Sequence, residues 1–168
     1  VHRFPLMREK KNLVLRTFRY LCGFFIQRRR GRQAKDVDLI FVASTPPIQG
    51  AMAAQVKKRL KVPFVYGLQD IFPDSLVGTG MTKKGSLLWK IGRKIEDYTY
   101  KNADKIIVIS EDFKRNIMAK GVPEEKIEVI YNWVDENAVV PIIPEENALF
   151  DEFNLDRGDF HVVYAGNL

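Results

Sequence analysis

One cysteine, Cys22, stands among 168 residues, so the chain cannot close an intramolecular disulfide and its composition suits a reducing compartment. Histidine is nearly as scarce. His2 and His161 stand alone, no Cys/His metal spacing exists, and no metal ligand is assigned. His161, at the head of an apolar run, reads as a strand-end residue. No apolar run approaches the roughly 20 residues of a membrane-spanning helix. The best, Leu21 to Ile26, is far too short. No Gly-x-Gly-x-x-Gly follows a strand, and neither a Walker-type Gly-Lys-Ser/Thr nor a Gly-x-Ser-x-Gly elbow is present. Neither histidine sits at the carboxyl end of a strand. An autonomous dehydrogenase, P-loop enzyme or triad hydrolase is therefore not expected. No secretory leader is recognised. The sequence starts at Val1 and ends with Gly166-Asn167-Leu168 directly after an apolar run, so both ends are expected to be cuts in a longer chain.

What is present is charge of uneven sign. Residues 1–35 hold eleven Lys or Arg against one acid, Glu9, for +10; the remainder holds sixteen bases and twenty acids, for −4. Such asymmetry points to an anionic partner at the N-terminal end, a membrane surface or nucleic acid. After a cap at Asn12, Leu13 to Arg30 reads as a basic amphipathic helix with Val14, Phe18, Leu21 and Phe25 on one stripe. It can cover a sheet, with Arg28-Arg29-Arg30 favoured by the helix dipole. It can also lie on an anionic lipid surface. The aromatics sit on the apolar stripe rather than among the cations, so base-stacking platforms are not evident and nucleic acid is the weaker partner.

Further along, apolar strands alternate with helices. Val37 to Ala43 is a strand, Ile48 to Leu60 a helix rich in small residues, and Phe64 to Leu68 a second strand behind Pro63. Ser86 caps a helix to about Asn102 with Leu88, Ile91, Ile95 and Tyr98 on one stripe. Lys105 to Ile109 is a third strand, followed by a helix from Ser110-Glu111-Asp112 to Lys120, stopped by Gly121 and Pro123. Ile127 to Tyr131 is a fourth strand. The predicted fold is α/β, a Rossmann-like parallel sheet with helices on both faces. Prolines and acids mark a linker over 136–159, with a short helix near Ala148 to Phe153, and a new strand opens at Phe160. The expected organisation is a partial N-terminal domain over 1–135, the linker, and the first strand of another domain over 160–168.

In an open parallel sheet, ligands sit outside the carboxyl ends of the strands. Four polar segments fall there: Ser44-Thr45-Pro46-Pro47, Gln69-Asp70, Ser110-Glu111-Asp112 and Asn132-Trp133-Val134-Asp135. Each also has a plain structural reading. Ser110 is an ordinary N-cap with Glu111 favoured by the dipole, Thr45 a turn residue, and Asn132 and Asp135 suit a turn leaving a strand. Asp70 fits capping least well, because Asp74 and Ser75 are nearer the next turn.

The stretch ADKIIVISEDFKRNIMAKGVPEEKIEVIYNWVD (103–135) resembles the end of the N-terminal domain in family 4 retaining glycosyltransferases of the GT-B fold. The stretch DLIFVASTPPIQGAMAAQVKKRLKVPFVYGLQDIFPDS (38–75) is similar to the branch that makes bacterial O-antigen and capsule polysaccharides, including N-acetylfucosaminyl-transferase-like enzymes. The closing VVYAGNL resembles the first strand of their C-terminal domain. The resemblance spans nearly all of 36–168. It implies a metal-independent, cofactor-free retaining transfer from a UDP- or GDP-linked sugar to a lipid-diphosphate saccharide. It implies a cytoplasmic enzyme peripheral to the inner face of the membrane, held through residues 1–35. By the same resemblance Asp70 and Gln69 lie by the transferring sugar, and Thr45, Pro46, Ser110 and Glu111 line the acceptor side. Asn132 and Asp135 mark the crossover, and Gly166 and Asn167 meet the donor diphosphate. Gln69 stands where many members have His or Arg, and the glycine-rich opening loop and Glu-containing donor motif are missing. This polypeptide alone is therefore expected to be inactive. A GT-B nucleotide-sugar 2-epimerase and a basic nucleic-acid-binding module are the alternatives.

Overall fold

Pro63 has no N–H to give, and strand pairing begins beside it. Its carbonyl accepts from Ile40 N at 2.9 Å, and the first paired residues are Ile40 and Phe64. The computed structural model describes residues 13–164, so the expected cap at Asn12 and the donor-side pair Gly166 and Asn167 lie outside the described residues. The chain divides at Asn132 into two units.

The first unit holds α1 (Leu13–Gly31), β1 (Ile40–Ala43), α2 (Gln49–Leu60), β2 (Phe64–Leu68), α3 (Asp74–Gly78), α4 (Leu87–Asn102), β3 (Lys105–Val108), α5 (Glu111–Ala119) and β4 (Ile127–Val129). The strands form one parallel sheet in the order β1-β2-β3-β4. The α/β parallel architecture is thus the expected one. β1 is shorter than the predicted 37–43, because β2 offers no partner above Phe64.

Right-handed crossovers that all step in one direction put their helices on one face. The register bears this out: Val42, Tyr66, Ile106 and Ile127 align across the sheet. Tyr66, Ile106 and Ile127 join Phe64, Leu68 and Val108 in the core with Ala53, Ala54, Tyr100 and Ile117 of α2, α4 and α5. The opposite face carries Phe41, Val65, Gly67, Ile107 and Glu128, and Phe41 is 61% exposed. Of the two helix layers expected, the described residues supply one.

Two helix faces differ from expectation. α4 buries Gly92, Glu96, Thr99 and Tyr100, whereas Leu88 and Ile91 of the predicted stripe are about half exposed. Close approach decides this. Small residues let α4 meet α2 and the segment after β2 at Gly50, Gly92 and Thr99, where bulkier side chains cannot fit. α1 packs on α2, with Gly31 against Val56, and Gly23 of α1 is buried. Its own stripe of Phe18, Leu21 and Phe25 faces outward. The side chain of Val14 lies outside what is described.

The second unit is sparse. α6 (Leu149–Glu152) matches the predicted short helix, Arg157 holds Asp151 at 2.9 Å, and residues 160–164 carry no regular element. No helix among the described residues is long and apolar enough to cross a membrane.

Candidate functional site

The carboxyl edge of the sheet is organised by one buried hydroxyl. Ser44, 3% exposed, follows β1 and pairs through its N–H with Gly67 O at 2.9 Å. Its Oγ accepts from Gln69 N at 3.0 Å and Asp70 N at 3.2 Å. These are the two backbone donors left over where β2 stops, and an unmet buried donor costs about 1–3 kcal/mol. Ile71 then inserts into the core and Pro73 is fully buried against Gly92. The Thr45–Pro46 and Phe72–Pro73 peptide bonds are cis. Pinned on both sides, the segment presents Gln69 and Asp70 as exposed side chains beyond the strand end. Ser75 donates to Asp70 Oδ2 at 3.2 Å.

Beneath this segment lies a charged network. Glu96, 6% exposed, accepts from Tyr100 OH at 2.6 Å and Lys120 Nζ at 2.9 Å, and also from Arg93. Lys120 reaches on to Asp74 at 2.7 Å, in the first turn of α3. One ammonium therefore ties α4 and the end of α5 to the helix that follows Asp70. Burial, with Glu96 beside it, raises the pKa of Tyr100 far above the ordinary phenol range. Burial again, then Glu96 and Asp70, raises that of Tyr66. Both tyrosines stay protonated, so Tyr100 remains the donor to Glu96.

Burial pushes the Asp74 carboxyl up, but the hydrogen bond and charge of Lys120, with Arg93, outweigh it and hold the group below its usual value. A folded pKa below the unfolded one gives stability that is complete above about pH 4 and is lost as pH falls through the folded value. The thermal midpoint is thus expected to drop with acid below about pH 4, and Lys120→Met to flatten that slope. A slope unchanged in the variant would remove Lys120 from the account.

The predicted residues distribute as follows. Thr45 is exposed at the end of β1, next to Ser44; Pro46 opens the turn into α2, its carbonyl accepting from Gln49 N at 3.0 Å. Both share the strand-end edge with Gln69 and Asp70. Ser110 follows β3, one strand spacing of about 4.8 Å from β2, and its Oγ caps α5 by accepting from Phe113 N at 3.2 Å. It is therefore an N-cap, and what it retains for a ligand is its O–H. Glu111 is exposed in the first turn of α5. Asn132 and Asp135 belong to the second unit, where both are exposed and Asp135 Oδ1 accepts from Asn137 N at 3.0 Å. Among the described residues no three His, Cys, Asp or Glu side chains gather as a metal site.

Reading along the chain placed Ser44 at a strand end and Asp74 at the next turn, but missed the part of Ser44 as a shared acceptor and the Glu96–Lys120–Asp74 network. For Ser44 the available signal was a small hydroxyl directly after an apolar strand. For Glu96 it was an acid four residues before a tyrosine on a helix that packs inward.

The model of Glycosyltransferase Family 4 matches residues 2–138, most of the chain. The chain belongs to that family. It is also 24% identical over 166 residues to a probable glycosyltransferase, WbjE, of Pseudomonas aeruginosa, covering 99% of this chain and 41% of that protein. The chain thus spans about two-fifths of the length of that relative. Within this family 4 chain the edge just described, which carries Asp70, is the candidate functional site.

Proposed function

We propose that the protein is a retaining GT-B glycosyltransferase that moves a sugar from a UDP- or GDP-sugar to a lipid-diphosphate saccharide during cell-surface polysaccharide synthesis. One observation carries the reading. In a family 4 chain, Asp70 is held out beyond β2 as an exposed carboxylate by a segment fixed from below at Ser44, Ile71 and Pro73. The relative's description as a probable glycosyltransferase supports the same class.

Departure of a nucleoside diphosphate leaves positive charge on the sugar ring, as in glycosidases. A carboxylate already in place stabilises it without reorganisation. Asp70 takes that role or accepts a hydrogen bond from a sugar hydroxyl, with Gln69 beside it. Thr45, Pro46, Ser110 and Glu111 face the acceptor, Asn132 and Asp135 mark the crossover, and Gly166 and Asn167 contact the donor diphosphate. No metal is assigned to the step. The outward stripe of α1 with the arginines at its end supports a peripheral position on the inner face of the membrane.

The test is incubation of the full-length protein with UDP- and GDP-sugars and a lipid-diphosphate saccharide. Transfer with retained anomeric configuration is the expected result. Conversion of the free nucleotide-sugar without transfer would replace this reading with a 2-epimerase, and inverted product would overturn the retaining mechanism.

A further inference from the structure

The exposed stripe of α1 does not end at Phe25; it runs on into arginine. Phe18, Leu21, Phe25 and Arg29 recur at helical spacing, and the three apolar members are 54%, 45% and 59% exposed. Where the stripe ends, Phe25, Arg28, Arg29, Arg32 and Gln33 surround a cavity of about 570 Å³ with Arg59 of α2. Four guanidinium groups, from the end of α1, the turn that follows it and α2, thus line one hollow. None of the four forms an ion pair among the described residues. The Nε of Arg28 is buried without a hydrogen-bond partner. An anion in the hollow would be met by the guanidinium N–H groups that line it.

The hollow lies away from the edge that carries Asp70. α2 leaves the carboxyl edge at Gln49 and ends at Leu60 just ahead of β2. Ten residues beyond Gln49, at about 1.5 Å each, carry Arg59 roughly 15 Å down the helix, to the edge opposite Asp70.

We propose that this hollow is a lipid headgroup site: the arginines take the phosphate of an anionic glycerophospholipid while Phe25, Leu21 and Phe18 enter the interface beside its acyl chains. Arginine suits the task because its planar fork matches phosphate oxygens in pairs. The apolar stripe selects lipid over a soluble phosphate, which has no use for three exposed hydrophobic side chains leading into its pocket. A second cationic and apolar surface, with Met81, Leu87 and Ile91 beside Lys83, Lys84 and Lys90, offers ammonium point charges in place of forks. The proposal rests on the peripheral-membrane part of the function above and is independent of the role of Asp70. With α1 lying in the interface, the edge that carries Asp70 stands beside the bilayer at a height set by the helix.

The test is co-sedimentation of the protein with phosphatidylcholine vesicles carrying a minor fraction of phosphatidic acid, at fixed salt. The triple variant R29Q/R32Q/R59Q is expected to bind about a hundredfold more weakly. Removing three charges at the other edge, K83Q/K84Q/K90Q, is expected to weaken binding by no more than about threefold, because screening confines each charge to its surroundings. R29K/R32K/R59K keeps the net charge but loses the forks, and is expected to bind about tenfold more weakly. It decides the matter even where the Gln variant does not fold. Equal loss in both Gln triples, or full binding by the Lys triple, would overturn the headgroup site and leave diffuse membrane attraction standing. No vesicle binding by the unsubstituted protein would overturn the membrane reading itself. Arginine-dependent binding of inorganic phosphate without vesicle binding would make the ligand a soluble anion and overturn the lipid.

Discussion

Gly50→Ala is expected to destabilise the protein by about 3 kcal/mol, the upper part of the range for overpacking a core, despite placing the better helix former inside α2. Two effects oppose each other. Gly50 is the second residue of α2, so replacing it with alanine contributes at most about 0.5–1 kcal/mol of stability through backbone entropy. Against that, a Cβ at Gly50 would stand 2.2 Å from Cγ2 and 2.8 Å from Oγ1 of Thr99, and 2.9 Å from Cε2 of Tyr66. Thr99 is 1% exposed and β-branched, and its hydroxyl is committed to Ile95 O at 2.9 Å, so it has nowhere to rotate. Either α2 lifts from α4 or the helix distorts. For a domain of this size the loss corresponds to roughly 6–12 °C in thermal midpoint. Thr99→Ala in the same chain removes two of the three clashing atoms, the two closest, and is expected to recover much of it, a coupling that a double-mutant cycle reads directly. A Gly50→Ala protein as stable as its parent would show that α2 and α4 are not this close.

The same contact explains what the sequence could and could not tell. Alternation of apolar strands with helices located all four strands and the main helices to within a few residues, because a buried parallel strand must be continuously apolar whatever its neighbours are. Which side of a helix faces inward was less legible. In α4 the periodic apolar residues Leu88 and Ile91 point outward, and the inward face is built from Gly92, Thr99 and a buried acid. A glycine announces itself as an approach point only once its partner is known, and Thr99 is 49 positions from Gly50. The acid follows the same rule. Arg93, three residues before Glu96, was visible as a partner, but Lys120 is 24 residues away and comes close only through the fold. At the site, Gln69 and Asp70 were legible because polar residues directly after an apolar strand fall at the carboxyl edge of a parallel sheet. The part played by Ser44 was not, because it depends on the register that sets β1 against β2.

In the full-length protein, if Asp70 has the role proposed above, Asp70→Asn is expected to lower kcat/KM for sugar transfer by about two to three orders of magnitude while leaving the thermal midpoint unchanged. The two halves of that statement separate a chemical role from a structural one. Structurally, the Asp70 carboxylate is exposed, and its hydrogen bond to Ser75, at 3.2 Å, is one that an amide oxygen also accepts. The backbone of the segment is held by Ser44 and Pro73, which the substitution does not touch. Stability therefore has little to lose. Chemically, a carboxylate about 4 Å from a unit positive charge contributes about 4 kcal/mol at an effective dielectric near 20. That is about a thousandfold in rate, and asparagine forfeits the charge while keeping the shape. Ser75→Ala supplies the contrast: it removes the hydrogen bond but keeps the charge, so transfer is expected to fall by less than about tenfold. Ser44→Ala should behave in the opposite sense, lowering stability and activity together, since it leaves two backbone donors unmet. If Asp70→Asn instead lowered the midpoint and spared transfer, the carboxylate would be part of the turn into α3. The positive charge of the reaction would then have to be met from elsewhere on the strand-end edge, where Glu111, the exposed acid after Ser110, is a candidate.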